Sequence, residues 1–194
     1  MAGIAAVVVV ALLVVTVRIH NRLVKLRNQT QASWAQIDVQ LKRRHDLIPN
    51  LVESTRAYAS HERETIEAVT AARTKALDTA ATAGTAERAF AEDLLSGSLG
   101  RLLSLSESYP ELKADDRFAR LQSELTSAED KIAYARQFYN SAVQSYNTAL
   151  ETFPANLVAG LGTHQVREYF RTDAAAHGPA EVRFARARTP PTRS

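Results

Sequence analysis

Four polar residues late in the chain fall in one register. Glu129, Arg136, Asn140 and Asn147 are separated by steps of seven, four and seven, so on a helix they share a face. That face borders an apolar stripe, where polar groups must find partners if they are buried. Asp38, Arg44 and Glu62 are plausible partners elsewhere in the chain. Paired, these residues fix the register of neighbouring helices; displayed at a surface, they form a recognition site for a partner protein. Structural pairing is the expected role.

Other residues invite chemistry and do not complete it. His61-Glu62 begins like a zinc-protease helix, but Thr65 stands where the second histidine ligand is required. The five histidines (20, 45, 61, 164 and 177) are scattered, and no Glu-x-x-His pair occurs for a di-iron site in a bundle. Gly160-x-Gly162 lacks the third glycine and the preceding strand of a nucleotide fingerprint. No serine lies in a nucleophile elbow. No catalytic, metal-ligating or cofactor-binding residue is therefore assigned, and no cofactor or small-molecule substrate is expected. The basic run Lys42-Arg43-Arg44 suits phosphate or lipid headgroups. If one helix runs on from the membrane, Lys42 lies about 37 Å from it at about 1.5 Å per residue, too far for lipid contact. Charge near a helix C-terminus, opposing the macrodipole and pairing with an acidic body, is the expected role.

The elements that position these groups are helices. In 194 residues there are only 7 Gly and 6 Pro, 45% apolar and 23% charged residues, and no cysteine. Disulfide and thiolate chemistry are thus excluded. The formal net charge of +3 is unevenly spread. Arg18, Arg22, Lys25 and Arg27 carry +4 within residues 18–27, residues 171–194 carry +3, and the body from 28 to 170 carries −4. Nucleic acid is not an expected partner, because binding it needs basic residues clustered on a folded face.

Residues 2–17, AGIAAVVVVALLVVTV, form an unbroken apolar run, about 24 Å as a helix and close to the minimum for crossing a bilayer. There is no basic n-region and no small-x-small cleavage site, so a membrane anchor is expected rather than a cleaved signal. The basic residues all follow the run, which by the positive-inside rule leaves the N-terminus outside and the body in the cytoplasm. From His20, the residues Leu23, Leu26, Thr30, Trp34, Ile37 and Leu41 mark one helical face. A turn is expected at 44–47, with Asp46 capping a second helix and Pro49 in its first turn. The alternative is one long helix kinked at Pro49.

The second helix should end near Asp78, presenting Leu51, Tyr58, Glu62, Ile66, Val69 and Arg73 on one face. A third, from Ala86 to about Glu107, should present Phe90, Leu94, Leu102 and Leu105, with Ser96-Gly97-Ser98 allowing close approach of a neighbour. A fourth carries the longest stripe, from Phe118 through Leu125, Ile132, Tyr139 and Tyr146 to Phe153, ending at Pro154. Long amphipathic helices joined by short loops must bury their stripes against one another. The fold class is all-α, an antiparallel four-helix bundle preceded by one N-terminal transmembrane helix. The divisions are a 1–19 anchor, a 20–170 bundle and a 171–194 disordered basic tail.

Several stretches in this order resemble the LemA family. They are Ser33-Trp34, the specific run Ile37-Asp38-Val39-Gln40-Leu41-Lys42-Arg43-Arg44-His45-Asp46-Leu47-Ile48-Pro49-Asn50-Leu51-Val52, and Tyr58-Ala59-Ser60-His61-Glu62. The likeness continues in Tyr109-Pro110-Glu111-Leu112-Lys113-Ala114, Leu121-Gln122-Ser123-Glu124-Leu125, Tyr139-Asn140, Tyr146-Asn147 and Phe153-Pro154. Near the end, Tyr169-Phe170-Arg171 replaces the family's Tyr-Phe-Glu. The resemblance implies a membrane anchor and a four-helix bundle, and brings no established enzymatic activity. The expected function is a non-enzymatic interaction or scaffold protein at the bacterial membrane, with a membrane-associated protein as partner. The alternative is an enzyme or metal-dependent factor with a polar site between helices. The candidate structural or interaction positions are Trp34, Asp38, Arg43, Arg44, Asp46, Pro49, Asn50, Tyr58, Glu62, Glu129, Arg136, Asn140 and Asn147.

Overall fold

A computed structural model describes residues 1–162 and 164–171. Of the expected disordered tail, 171–194, all but Arg171 lies outside the described residues. All regular structure among the described residues is helical. The elements are α1 (Ala2–Tyr58), α2 (Arg63–Thr82), α3 (Thr85–Ser108), α4 (Pro110–Lys113), α5 (Asp116–Glu151) and α6 (Ala155–Leu161).

The expected turn at 44–47 does not form. α1 runs unbroken through Asp46 and Pro49 to Tyr58. Its buried face explains why: Leu41, Arg44, His45, Ile48, Leu51, Val52 and Thr55 keep three- and four-residue spacing across the proline. Pro49 sits on the exposed side, where its ring faces water. Its missing N–H would orphan the carbonyl of His45, four residues back. Arg73 of α2 donates to that carbonyl at 2.9 Å and replaces the lost bond. Asp46 caps nothing; it is exposed and pairs with Lys42 at 3.2 Å along the helix. The break falls instead at residues 59–62. Lys42-Arg43-Arg44 is accordingly mid-helix, and the macrodipole account of it does not apply.

α1 and α5 pack antiparallel over most of α5, and α2 packs antiparallel on α3. With α4 linking α3 to α5, these two close pairs make the four-helix bundle. The backbones of the two pairs stand farther apart, so larger side chains fill the space between them. At about 1.5 Å per residue α5 is about 54 Å long, while α2 and α3 are about 30 and 36 Å. The short pair therefore covers only the distal part of the α1–α5 hairpin, where Ile48, Leu51, Val69, Leu95, Leu102, Phe118 and Leu125 form the main core. Nearer the N-terminus, Ile37, Leu41, Ile132, Tyr139, Val143 and Phe170 form a second cluster. Leu23, Tyr146, Leu150 and Ala159 close the base.

The α5 stripe is buried as expected, except that Leu121 is half-buried and Phe153 is exposed. α3 differs more. Its buried face runs through Ala89, Glu92, Leu95, Leu99, Leu102 and Ser106, while Phe90 and Leu94 face outward. The Lys75 ammonium lies over the Phe90 ring at 5.6 Å. Gly97 is exposed with no neighbour within 4 Å of a Cβ position, so it mediates no close approach. Residues 2–17 are exposed along their whole length, and the N-terminal part of α1 is long and apolar enough to cross a membrane.

Candidate functional site

The polar centre of the bundle is built around Arg44. Its position on the buried face of α1 carries the guanidinium across the gap between the two helix pairs. Nη2 pairs with the Glu92 carboxylate of α3, and Nη1 donates to Glu129 Oε1 of α5 at 2.5 Å and to Ser96 Oγ at 2.7 Å. His45, the next residue, contributes Nε2 to the other oxygen of Glu92 at 3.0 Å. An ionised carboxylate only accepts, so Nε2 carries the hydrogen. Arg44 and Glu92 are fully buried, whereas Glu129 reaches a shallow 300 Å³ pocket lined also by Leu99, Leu103 and Leu125.

Burial pushes the Glu92 carboxyl up, but the His45 hydrogen bond and the Arg44 charge outweigh it and hold the group below its ordinary value. Adjacent Asp93 goes the other way. Burial raises it, and Arg136, although 3.3 Å away, does not fully compensate. The two adjacent carboxyls are thus shifted in opposite directions.

Two further pairs extend the line of charge. Arg88 of α3 donates to Asp38 of α1 at 2.5 Å and lies over Trp34 at 5.1 Å. Arg136 of α5 bridges to Asp93 of α3 and lies over Phe170 at 4.7 Å. Both cations meet an aromatic cluster in which Trp34 packs edge-on against Tyr139 at 5.1 Å and beside Phe170 at 5.6 Å.

Asn140 and Asn147 have a different task. Asn140 donates to the Phe170 carbonyl at 3.1 Å and accepts from its N–H at 2.9 Å. Asn147 does the same with Arg167, both bonds being 2.9 Å. A primary amide sets an N–H donor beside its carbonyl acceptor, so it can pair with both the N–H and the carbonyl of one backbone residue. Seven residues apart on α5, the two amides hold the extended segment 164–171 against the helix. Tyr139 Oη donates to the Glu168 carbonyl between them at 2.9 Å. The segment passes close to the α2–α3 turn, since a Cβ on Gly84 would lie 3.9 Å from the Glu168 side chain.

The structure therefore brings Arg44 and Glu129 together and places Trp34, Asp38 and Arg136 in the adjoining clusters, with Arg88, Asp93 and Phe170 as their partners. Glu62 is elsewhere, accepting from Tyr109 Oη at 2.9 Å. Tyr58 donates to Asp115, the residue that caps α5, at 2.8 Å. Arg43 makes an exposed 3.7 Å pair with Glu124, and exposed Asn50 lines a shallow pocket with Asp116, Arg117 and Arg120. His45, Arg88, Glu92, Asp93 and Ser96 were not anticipated from the sequence. The available signal was the step of seven from Glu92 to Leu99, which makes Glu92 part of the α3 seam.

Most of the polar atoms at this centre are paired between helices, while Arg44 Nε and His45 Nδ1 are buried without a protein partner. Both terminal guanidinium nitrogens of Arg44 are committed, and among the described residues no group of three or more His, Asp or Glu side chains is placed to hold a metal ion. On the opposite side of the α1–α5 pair lies an open groove of about 460 Å³, lined by Ser33, Gln36, Gln40, Lys131, Tyr134 and Phe138. Tyr134 and Phe138 are 71% and 53% exposed.

The family model described as LemA family matches residues 33–184. The Magnetosome protein MamQ 2 of Paramagnetospirillum magneticum is 26% identical over 195 residues, covering 88% of this chain and 71% of the relative. The Magnetosome protein MamQ of Magnetospirillum gryphiswaldense is 25% identical over 203 residues, covering 92% and 74%. The Protein LemA of Metamycoplasma hominis is 29% identical over 141 residues, covering 72% and 63%.

Proposed function

The chain belongs to the LemA family, and from that premise we propose that it is a single-pass membrane protein whose bundle acts as a non-enzymatic interaction module for another membrane-associated protein. The observation that carries this reading is the groove between α1 and α5. Tyr134 and Phe138 stand one helical turn apart beside a trough formed by two antiparallel helices, with Asp130 and Lys131 at its edge. Such a trough suits the apolar face of an amphipathic helix, with the rim charges setting its direction. The ion pairs and hydrogen bonds that Arg44, Glu92 and His45 make between helices support a structural role for this centre, and so binding over catalysis. The basic residues after the apolar run favour an external N-terminus and a cytoplasmic bundle.

The test is photo-crosslinking of the full-length chain in its native membrane. A photoreactive residue at Phe138 should give a discrete adduct that Tyr134→Ser weakens, while one at Leu77 on the outer side of α2 should not. Equal adduct patterns from the two positions would remove the groove from consideration.

A further inference from the structure

The base of the bundle carries an apolar surface that the interaction reading does not use. From Thr152 to Gly162 there is no charged residue, and within this stretch the usual order of side chains is inverted. α6 turns small residues inward, with Ala159 buried and Ala155 packed beside it, against Leu23 and Leu150. Its large residues point away from the protein: Leu157 is 61% exposed and Leu161 89%, with Phe153 in the preceding turn at 74%. A helix on a water-facing surface directs leucine inward and polar groups outward. Here the protein side takes the alanines and the outside takes leucines one turn apart.

The place of α6 in the fold indicates what covers it. Ala155 and Ala159 belong to the cluster that contains Leu23 and packs against Ile19 and Leu26 of α1. These residues follow Val17, the end of the apolar run, by about 3 to 13 Å along the helix axis. The run itself supplies about 24 Å, whereas a hydrocarbon core is about 30 Å thick. The membrane boundary is thus drawn past Val17 to the level of Ile19 and Asn21. A headgroup layer of about 5–7 Å then extends over the height at which α6 lies. Arg22 and Lys25 fall within this layer, with Arg18 at its inner edge and Arg27 just beyond it, and Arg22 lines a 450 Å³ cavity between α1 and the Phe153-Pro154 turn. Apolar side chains directed outward and cations at phosphate height are the two components of an interfacial contact.

We infer that α6 and the Phe153-Pro154 turn form a second membrane contact, a foot that lies in the boundary between acyl chains and headgroups on the side of the bundle. It holds the bundle at a fixed height and tilt, so that the groove beside Tyr134 and Phe138 faces along the membrane plane. The inference rests on α1 spanning the bilayer, and it is independent of which side the bundle occupies.

The absence of cysteine from the chain makes single labelling sites available. Leu157→Cys, Leu161→Cys, Val10→Cys and Leu77→Cys, each carrying an environment-sensitive fluorophore, are reconstituted as full-length protein in vesicles of phosphatidylcholine and phosphatidylglycerol. Labels at 157 and 161 should lose fluorescence to lipids bearing a nitroxide near the headgroup more than to lipids bearing it deep in the acyl chain. The label at 10 should show the reverse, and the label at 77 should respond only to aqueous iodide. Iodide quenching at 157 and 161, with 10 still quenched from deep in the bilayer, overturns the foot and leaves the anchor intact. Protection from both iodide and lipid nitroxides means that protein, such as a second copy of the chain, covers the foot, and also overturns the inference. A label at 10 open to iodide overturns the anchor and the foot together.

Discussion

Arg44 is a cation removed from water and surrounded by groups from two other helices, so its partners are costly to lose. Deleting one side of a buried ion pair leaves an uncompensated charge, which costs about 3–5 kcal/mol. Glu92→Gln in the detergent-solubilised chain should lower stability by that order, measured by urea unfolding followed by circular dichroism. Glu129→Gln should cost less, about 1–3 kcal/mol, because its side chain is 37% exposed and water can replace it. The pH dependence has a defined sign. Glu92 is held below its ordinary value of about 4.5, so its contribution is present above 4.5 and is lost as pH falls through the lower folded value. Asp93, raised above its ordinary 3.8, contributes in the opposite sense: its share is present below 3.8 and is lost as pH rises through the folded value. Glu92→Gln should therefore make the dependence of unfolding free energy on pH shallower below 4.5. An unchanged slope would assign acid sensitivity to other carboxylates. The Asn140 and Asn147 clamps are tested by hydrogen exchange, since each protects one backbone N–H. Asn140→Ala should accelerate exchange at Phe170 while leaving Arg167 protected, and Asn147→Ala should do the converse. Half of this chemistry is legible in the sequence. Arg44 and Glu129 stand out by their register with apolar neighbours, whereas Phe90 and Leu94 draw the eye away from Glu92. A carboxylate close to alanines reads as a solvent face until the cation that meets it is located, and that cation lies 48 residues away.

Helix α1 shows how a local signal is overridden by packing. Asp-Leu-Ile-Pro after a basic run has the composition of a helix start, and its Asp and Pro each favour a cap or first turn. Two facts, one of them supplied by another helix, decide otherwise. The apolar stripe passes Pro49 without a change of phase, and Arg73 supplies the donor that proline lacks. Periodicity places Arg73 on the inner face of its helix, but nothing in the sequence indicates a backbone carbonyl as its partner. The consequence is measurable by a double-mutant cycle. Arg73→Met keeps the aliphatic stem and removes the donor, and should cost about 1–2 kcal/mol in the parent chain. In a Pro49→Ala background the introduced alanine offers its own N–H to the His45 carbonyl, so the same change should cost about 1 kcal/mol less. Additive effects would show that Arg73 contributes through packing alone.

At the scale of the whole molecule, α1 is one lever of about 85 Å, with a bilayer-length apolar segment at one end and the bundle at the other. All-α architecture, the apolar N-terminal helix and the long α5 stripe are legible because each depends on periodicity sustained over many residues. The docking of segment 164–171 is not, because side-chain amides spaced along α5 hold it, and no period within the segment records them. A continuous lever also gives the sidedness of the anchor a direct consequence. If no joint separates bundle from membrane, the face on which Arg18, Arg22, Lys25 and Arg27 remain is the face on which the bundle stands. We propose, from the positive-inside rule, that these residues and the bundle with them stand in the cytoplasm. Ser141 is exposed on α5, and its hydroxyl donates to the Gln137 carbonyl of its own helix at 3.0 Å, so Ser141→Cys leaves the bundle intact. In intact cells a membrane-impermeant thiol reagent should fail to label that cysteine until the membrane is opened. Replacing the four basic residues with glutamine and adding lysine after Met1 should shift part of the population to the labelled state. Labelling of the otherwise unaltered Ser141→Cys chain in intact cells would place the bundle outside, and the groove's partner with it.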